Sequence, residues 1–320
     1  FVVQVVEESV NEFIKLCPVE CEELASVRAD ERIIINQGGR EIFSSSRGVL
    51  QESWALTSYK MQSLRDEENC AREEYSLVSL PKEDDPGLSS YLSYELNDDI
   101  CNLYIGRQIR PKVAILREQG VNGQLEMAAA FERAGFDCLD VHMSDLATGR
   151  LSLADFQVLA ACGGFSYGDV LGGGGGWAKS ILFNSRLRDQ FSGFFESEKL
   201  VLGICNGCQM ISQLKDILPG GSSWPRFVRN RSEQFEARTV MVKVLPNNSQ
   251  WLSGMEGSVL PVAVAHGEGR AEFKRVSDLG ELSGAQKVTM QYVDSHHSVT
   301  ERYPYNPNGS AEGLAGVVSD

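Results

Sequence analysis

The apolar run Leu200-Val-Leu leads into Gly203-Ile-Cys205-Asn-Gly207-Cys208-Gln209, after which the residues read as a helix. Glycines two before and two after a cysteine permit a strained strand-to-helix turn that lifts the thiol to the carboxyl edge of a sheet. The following helix turns backbone N–H groups and the positive end of its dipole toward the sulfur, which favours thiolate. A thiolate so placed is suited to acyl transfer through a thioester. With 31 glycines in 320 residues, the spacing alone means little. The strand before it and the helix after it give it weight. Cys208, one helical turn on, leaves redox use of the two sulfurs as a rival.

A tetrahedral thioester intermediate needs N–H donors for its oxyanion. Cys162-Gly163-Gly164-Phe165-Ser166-Tyr167-Gly168-Asp169 follows another strand pattern. Its paired glycines free the backbone to turn an N–H toward a neighbouring strand end, with the Asn206 N–H as partner. A plain turn has the same signature. Gly172–Gly176 lacks the Gly-Lys-Ser/Thr of a phosphate cradle, so a flexible loop is expected there. A base must come from His142, His266, His296 or His297. His266 is the best placed, at a strand end in Ala265-His-Gly-Glu-Gly-Arg270. Positions two apart on a strand share a face, so His266 and Glu268 suit either a catalytic couple or an ordinary structural hydrogen bond.

From Arg110 onward the pattern supplies a scaffold for these residues. Strands are predicted at Lys112–Leu116, Asp137–Val141, Phe156–Cys162 and Leu200–Ile204. Asn122 is the expected cap of a helix running to Ala134, with Gly135 as its stop. Trp177–Phe195 and Asn206–Leu214 also read as helices. Strands alternating with helices predict an α/β fold with a doubly wound, mostly parallel sheet. Past Pro225 the chain becomes strand-rich, at Thr239–Leu245, Val259–Ala265 and Lys287–Tyr292. Before Leu80 the pattern is α+β. A strand is expected at Phe1–Val6, a helix at Glu7–Cys17, a strand at Arg32–Asn36 and a long helix from Val49 to Arg72. The turn-rich, acidic stretch Leu80–Gly87 opens a linker. The expected organisation is residues 1–80 as the tail of a larger domain, 81–109 as linker and 110–320 as a second domain.

Composition narrows the chemistry. The chain is 42% apolar and 23% charged, as a globular protein should be. Its 30 basic and 44 acidic residues give a net charge of −14. Such a surface repels phosphate backbones and anionic lipid, so neither nucleic acid nor membrane is an expected partner. No stretch approaches the roughly 18 apolar residues of a membrane span. Eight cysteines spread through 320 residues are not a disulfide scaffold, and Cys205-x-x-Cys208 lacks the second pair that a zinc site requires. Asn-x-Ser at Asn230, Asn247 and Asn308 has no secretory context, and a reducing cytoplasm is expected. The chain opens at Phe1 without a basic leader, so a partial chain rather than a signal peptide is expected.

Six segments then stand out in order: Arg117-Glu-Gln-Gly-Val-Asn122, Gly163-Gly-Phe-Ser-Tyr-Gly-Asp-Val170, Gly203-Ile-Cys-Asn-Gly-Cys-Gln209, Arg226-Phe-Val-Arg-Asn230, Ala265-His-Gly-Glu-Gly269 and Asn306-Pro-Asn-Gly-Ser310. Over about Arg110 to Asp320 they resemble the glutaminase domain of the phosphoribosylformylglycinamidine synthase family, of the large single-chain type. Phe43-Ser-Ser-Ser-Arg47 and Asp85-Pro-Gly87 resemble the end of that family's synthetase domain. The resemblance implies a flavodoxin-like, triad-type glutamine amidotransferase. In such an enzyme glutamine is hydrolysed through a Cys thioester, and ammonia passes internally to ATP-activated formylglycinamide ribonucleotide. Position by position, it implies Cys205 as nucleophile, backbone at Gly164, Phe165 and Asn206 as oxyanion hole, and Gln209, Asn230 and His266 around L-glutamine. It also implies a monomeric full-length enzyme. ATP and Mg2+ are expected upstream of Phe1, with none bound by these residues. A triad His and Glu are expected in a Pro-His-Pro-Glu segment beyond Asp320, so these 320 residues alone should show little glutaminase activity. A cysteine hydrolase or isomerase using Cys205 with His266, and a non-catalytic glutaminase-like interaction domain, are the competing readings.

Overall fold

The computed structural model describes residues 1–98, 101, 106 and 109–319. Residues 1–6 form no strand: Phe1, Val2 and Val6 are exposed, and no strand among the described residues pairs with them. A short helix α1 (Val10–Leu16) follows and ends before Pro18, as expected. The strand at β1 (Arg32–Gln37) turns through Gly38 and Gly39 into an antiparallel partner, β2 (Arg40–Ser46). The long helix predicted next is two helices, α2 (Arg47–Arg65) and α3 (Glu68–Tyr75). Asp66 is extended, and the Glu67 carboxylate accepts from the Cys70 N–H at 2.8 Å, which starts a new helix rather than continuing the old one. Stacking of Tyr59 on Tyr75, 4.3 Å between ring centres, holds α2 against α3.

The second half is built on four parallel strands, β3 (Lys112–Arg117), β4 (Asp137–His142), β5 (Val158–Ala161) and β6 (Leu200–Gly203), in the order β4-β3-β5-β6. Alternation along β3 explains why it reads as a continuous apolar run. Val113 and Ile115 face one core with Phe131, while Ala114 and Leu116 face the other with Trp177 and Phe191. Both faces are covered by helices, as a parallel sheet requires. α4 (Gln124–Arg133) lies between β3 and β4, and α5 (Met143–Thr148) follows β4. α6 (Gly175–Leu182) and α7 (Ser185–Phe195) connect β5 to β6, and α8 (Asn206–Ser212) follows β6. The single helix expected over Trp177–Phe195 is therefore a pair, because the Asn184 side chain accepts from the Leu187 N–H and caps α7 anew. Asn122 does not cap α4. That place belongs to Gly123, while the Asn122 N–H donates to the Gly163 carbonyl at 3.2 Å.

The strand-rich end does not extend the parallel sheet. β8 (Glu236–Val244), β9 (Val259–His266), β11 (Val288–Val293) and β12 (Leu314–Val317) form a separate antiparallel sheet in the order β12-β11-β8-β9. The short strands β7 (Arg226–Val228) and β10 (Arg270–Glu272) pair on their own, and α9 (Asp278–Gly284) precedes β11. The linker expected at 81–109 lies partly outside the described residues. Its described beginning is turn-rich, and Tyr91 bridges to Val259.

Candidate active site

The strand order reverses between β3 and β5, where Val121 after β3 bridges to Gly164 after β5, and Cys205 follows the adjacent β6 at the same carboxyl edge. Such a switch point is where open α/β sheets hold ligands. Cys205 leaves β6 with φ 51° and ψ −115°, a strained conformation for a residue with a Cβ. Its flanking glycines are sterically required. A Cβ on Gly207 would lie 2.1 Å from the Ala161 carbonyl oxygen, and one on Gly203 would lie 2.6 Å from Ile211 Cδ1. β5 and β6 can therefore pair while α8 starts directly over them.

Two backbone N–H groups act on the Cys205 sulfur, those of Asn206 and Gly164. Gly164 has φ 146°, and a Cβ there would lie 2.6 Å from Val121 Cα, so the close approach of the β3 and β5 loops needs glycine. The Phe165 N–H is spent elsewhere, donating to the Gly120 carbonyl at 2.9 Å. This corrects the expected oxyanion donor at Phe165: bridging of the two loops turns its N–H away from the sulfur. The Cys205 thiol itself donates weakly to the Ala265 carbonyl at 3.8 Å. Burial pushes its pKa up, against the downward pull of the two N–H groups, so helix-terminal stabilisation of thiolate does not prevail in this chain.

Cys205 opens into a cleft of about 210 Å³. Phe165 and Phe235, 6.1 Å apart, stand at its lining with Gly164, and Asp169, His266 and Glu268 complete the polar side. Sequence reasoning missed Asp169 and Phe235. Asp169 lay within a segment singled out for its glycines, whereas nothing local marks Phe235. His266 is brought to the cleft, but among the described residues no hydrogen bond joins it to Cys205, and its Nδ1 is buried without a partner. Burial holds its pKa below the usual histidine value. The other three histidines serve elsewhere. His142 caps α5, while His296 and His297 bond Asp84 and Ser89.

Gln209 also lines the cleft, yet its amide is engaged. Its Oε1 accepts from Asn206 Nδ2 at 3.0 Å, and its Nε2 donates to the Glu268 carbonyl. Asn206 in turn accepts from the Ser166 N–H at 3.0 Å and donates to Asp169 at 3.1 Å. This buried chain fixes the loops after β5, β6 and β9 to one another. Asn230 is corrected as a glutamine contact. Its Nδ2 donates to the carbonyls of Gln234 and His266 and its Oδ1 accepts from the Gly269 N–H, so it braces the loop behind the cleft. Gly172–Gly176 is no open loop either. Gly174, at φ 68°, would place a Cβ 2.4 Å from the Met210 nitrogen, so the run packs α6 directly against α8. Among the described residues, no group of three or more His, Cys, Asp or Glu side chains could hold a metal ion.

Residues 110–320 match the family model of the CobB/CobQ-like glutamine amidotransferase domain. The structure is similar to that of PurLQS from Thermotoga maritima, with a TM-score of 0.51 and 25% sequence identity over 66% of this chain and 83% of that one. A structure of SMU.1228c covers 50% of this chain and 63% of its own length at 16% identity. Its TM-score is 0.32.

Proposed function

The chain belongs to the CobB/CobQ-like glutamine amidotransferase domain family through residues 110–320, and from that premise we propose that it is the glutaminase part of a phosphoribosylformylglycinamidine synthase. The six ordered segments and the likeness to PurLQS support this reading. In it, residues 1–80 end the synthetase domain, 81–109 link, and 110–320 hydrolyse glutamine. The Cys205 thiolate adds to the amide carbon of L-glutamine, and the N–H groups of Gly164 and Asn206 receive the charge on oxygen. A general acid protonates the amide nitrogen, and collapse expels it as ammonia and leaves a γ-glutamyl thioester. Water hydrolyses the thioester to glutamate and restores the thiol. Ammonia released to neutral water would be protonated and lose its nucleophilicity, so the ligase reading requires internal passage to formylglycinamide ribonucleotide. ATP and Mg2+ belong to that ligation half. The described residues offer them no metal cluster, and the packed glycine run offers no cradle, so no step here runs through them.

The carrying observation is the strained Cys205 with the Gly164 and Asn206 N–H groups on its sulfur. An electrophilic glutamine analogue should label Cys205 alone and fail on Cys205→Ala. Labelling at another residue would overturn the assignment. Because the thiol proton goes to the Ala265 carbonyl rather than to a base, and its pKa is raised, glutamate release by these 320 residues should be slow. A second reading, a hydrolase or isomerase using Cys205 with His266, rests on His266 lining the same cleft with a free Nδ1. It requires His266→Ala to abolish thioester formation as completely as Cys205→Ala does.

A further inference from the structure

Far from the cleft, two sulfurs meet where α1 ends. The Cys17 N–H donates to the Phe13 carbonyl at 2.9 Å and closes α1. Cys17 is then extended, and the chain bends through Pro18 and Val19. That bend returns Cys21 to Cys17, and the Cys21 thiol hydrogen-bonds the Cys17 sulfur. Val19 reaches both residues. Its N–H donates to the Cys17 sulfur, and its carbonyl oxygen lies 3.4 Å from Cys21 Sγ. Both cysteines are half-buried at the surface, free and open to small solutes. The contact also separates their ionisations. The Val19 N–H and the Cys21 thiol hold the Cys17 pKa below the ordinary thiol value, and the bond to Cys17 raises that of Cys21. Burial instead pushes Cys70, Cys138, Cys162, Cys205 and Cys208 up. A surface thiolate in contact with a protonated thiol is the arrangement of an attacking and a resolving cysteine. Glu20, Glu22 and Glu23 stand exposed beside them in the chain, so anionic oxidants are repelled and neutral ones are not.

We propose that Cys17 and Cys21 form a reversible thiol switch that a neutral hydroperoxide closes to a disulfide. The Cys17 thiolate attacks one oxygen of hydrogen peroxide. An S–O bond forms, the O–O bond breaks, and the hydroxide released takes a proton to become water. Cys17 is thereby oxidised to the sulfenic acid and the peroxide is reduced. Cys21 then loses its proton and attacks the Cys17 sulfur, so an S–S bond forms as the S–O bond breaks and a second water leaves. Two thiols and one peroxide give one disulfide and two waters. An external dithiol reverses the closure by exchange. The disulfide fastens the end of α1 to the segment that leads toward β1.

Hydrogen peroxide treatment of the 320-residue chain, followed by alkylation, tryptic digestion and mass spectrometry, tests the proposal. The tryptic peptide Leu16–Arg28 contains Cys17 and Cys21 and no other cysteine. It should lose two hydrogens about ten-fold or more faster than Cys205 is oxidised, and dithiothreitol should restore it. Cys21→Ser should arrest the reaction at a Cys17 sulfenic acid that dimedone traps. Cys17→Ser should slow oxidation of Cys21 about ten-fold or more. A peptide that stays reduced while Cys205 is oxidised would overturn the proposal. So would oxidation of Cys21 at an unchanged rate in Cys17→Ser, or a disulfide between chains in place of the internal one.

Discussion

At Cys205 burial and hydrogen bonding act on the thiol in opposite directions, and burial is the larger. Alkylation of Cys205 in this chain should therefore rise with pH along a curve whose midpoint lies above 9.0, the ordinary thiol value. Mass-spectrometric rates from pH 7 to 11 would check this, and a midpoint below 8 would mean that the two N–H groups prevail. The elbow is equally exacting about its glycines. Gly207→Ala drives a methyl into the Ala161 carbonyl, so it should cost about 1–3 kcal/mol in denaturant unfolding and reduce labelling of Cys205. Unchanged stability would show that β5 and α8 can separate without loss.

Among the elements, the start of α6 and the middle of α7 make opposite demands on glycine. Gly174 is left-handed and pressed against the Met210 backbone, so Gly174→Ala should destabilise by about 1–3 kcal/mol. Gly193 is exposed within α7, and a methyl added there would meet nothing within 4 Å. Gly193→Ala should stabilise by about 0.4–1 kcal/mol, because helical backbone costs glycine more entropy than alanine. A pair of melting curves distinguishes the two sites. The docking of α3 depends on charge. Arg231 pairs with Glu73, and Arg238 reaches Glu74 at 3.0 Å and the buried Glu236 at 2.7 Å. Arg238→Ala would leave Glu236, 2% exposed, without its cation, at a cost of about 3–5 kcal/mol. Recovery of most of that stability in Arg238→Ala/Glu236→Gln would confirm the cause.

Over the whole molecule, burial of thiols couples stability to alkaline pH. Burial pushes Cys70, Cys162 and Cys208 from 9.0 up to about 12. The folded state keeps protons that the unfolded chain releases. Its advantage is therefore complete below about pH 9 and is lost as pH rises toward 12. Melting temperatures measured from pH 8 to 11 should fall over that window, and Cys162→Ala should flatten part of the slope. A flat profile would contradict burial of these thiols. Burial also disposes of two sequons, since Asn230 and Asn308 are 2% and 3% exposed. No helix among the described residues is long and apolar enough to cross a membrane.

Features legible in the residue order alone are local ones. The alternating apolar faces of β3, the stop at Gly135 and the Gly-x-Cys-x-Gly turn each depend on the backbone and neighbours of a few consecutive residues. So does the α/β rhythm from which the parallel sheet was legible. Long apolar patterns at Val49–Arg72 and Trp177–Phe195 hid their breaks, because a cap at Glu67 or Asn184 interrupts the backbone without interrupting the hydrophobic stripe. Which N–H reaches the sulfur was settled by tertiary packing, because Gly120 claims that of Phe165. The same holds for Asn206, which finds Ser166 40 positions away, and for Gln209, which finds Glu268 59 positions away. Side chains that look free to bind substrate become braces once those distant loops converge. Donors and acceptors are few and buried ones must pair, so their partners are chosen by the packing of separate elements rather than by sequence spacing.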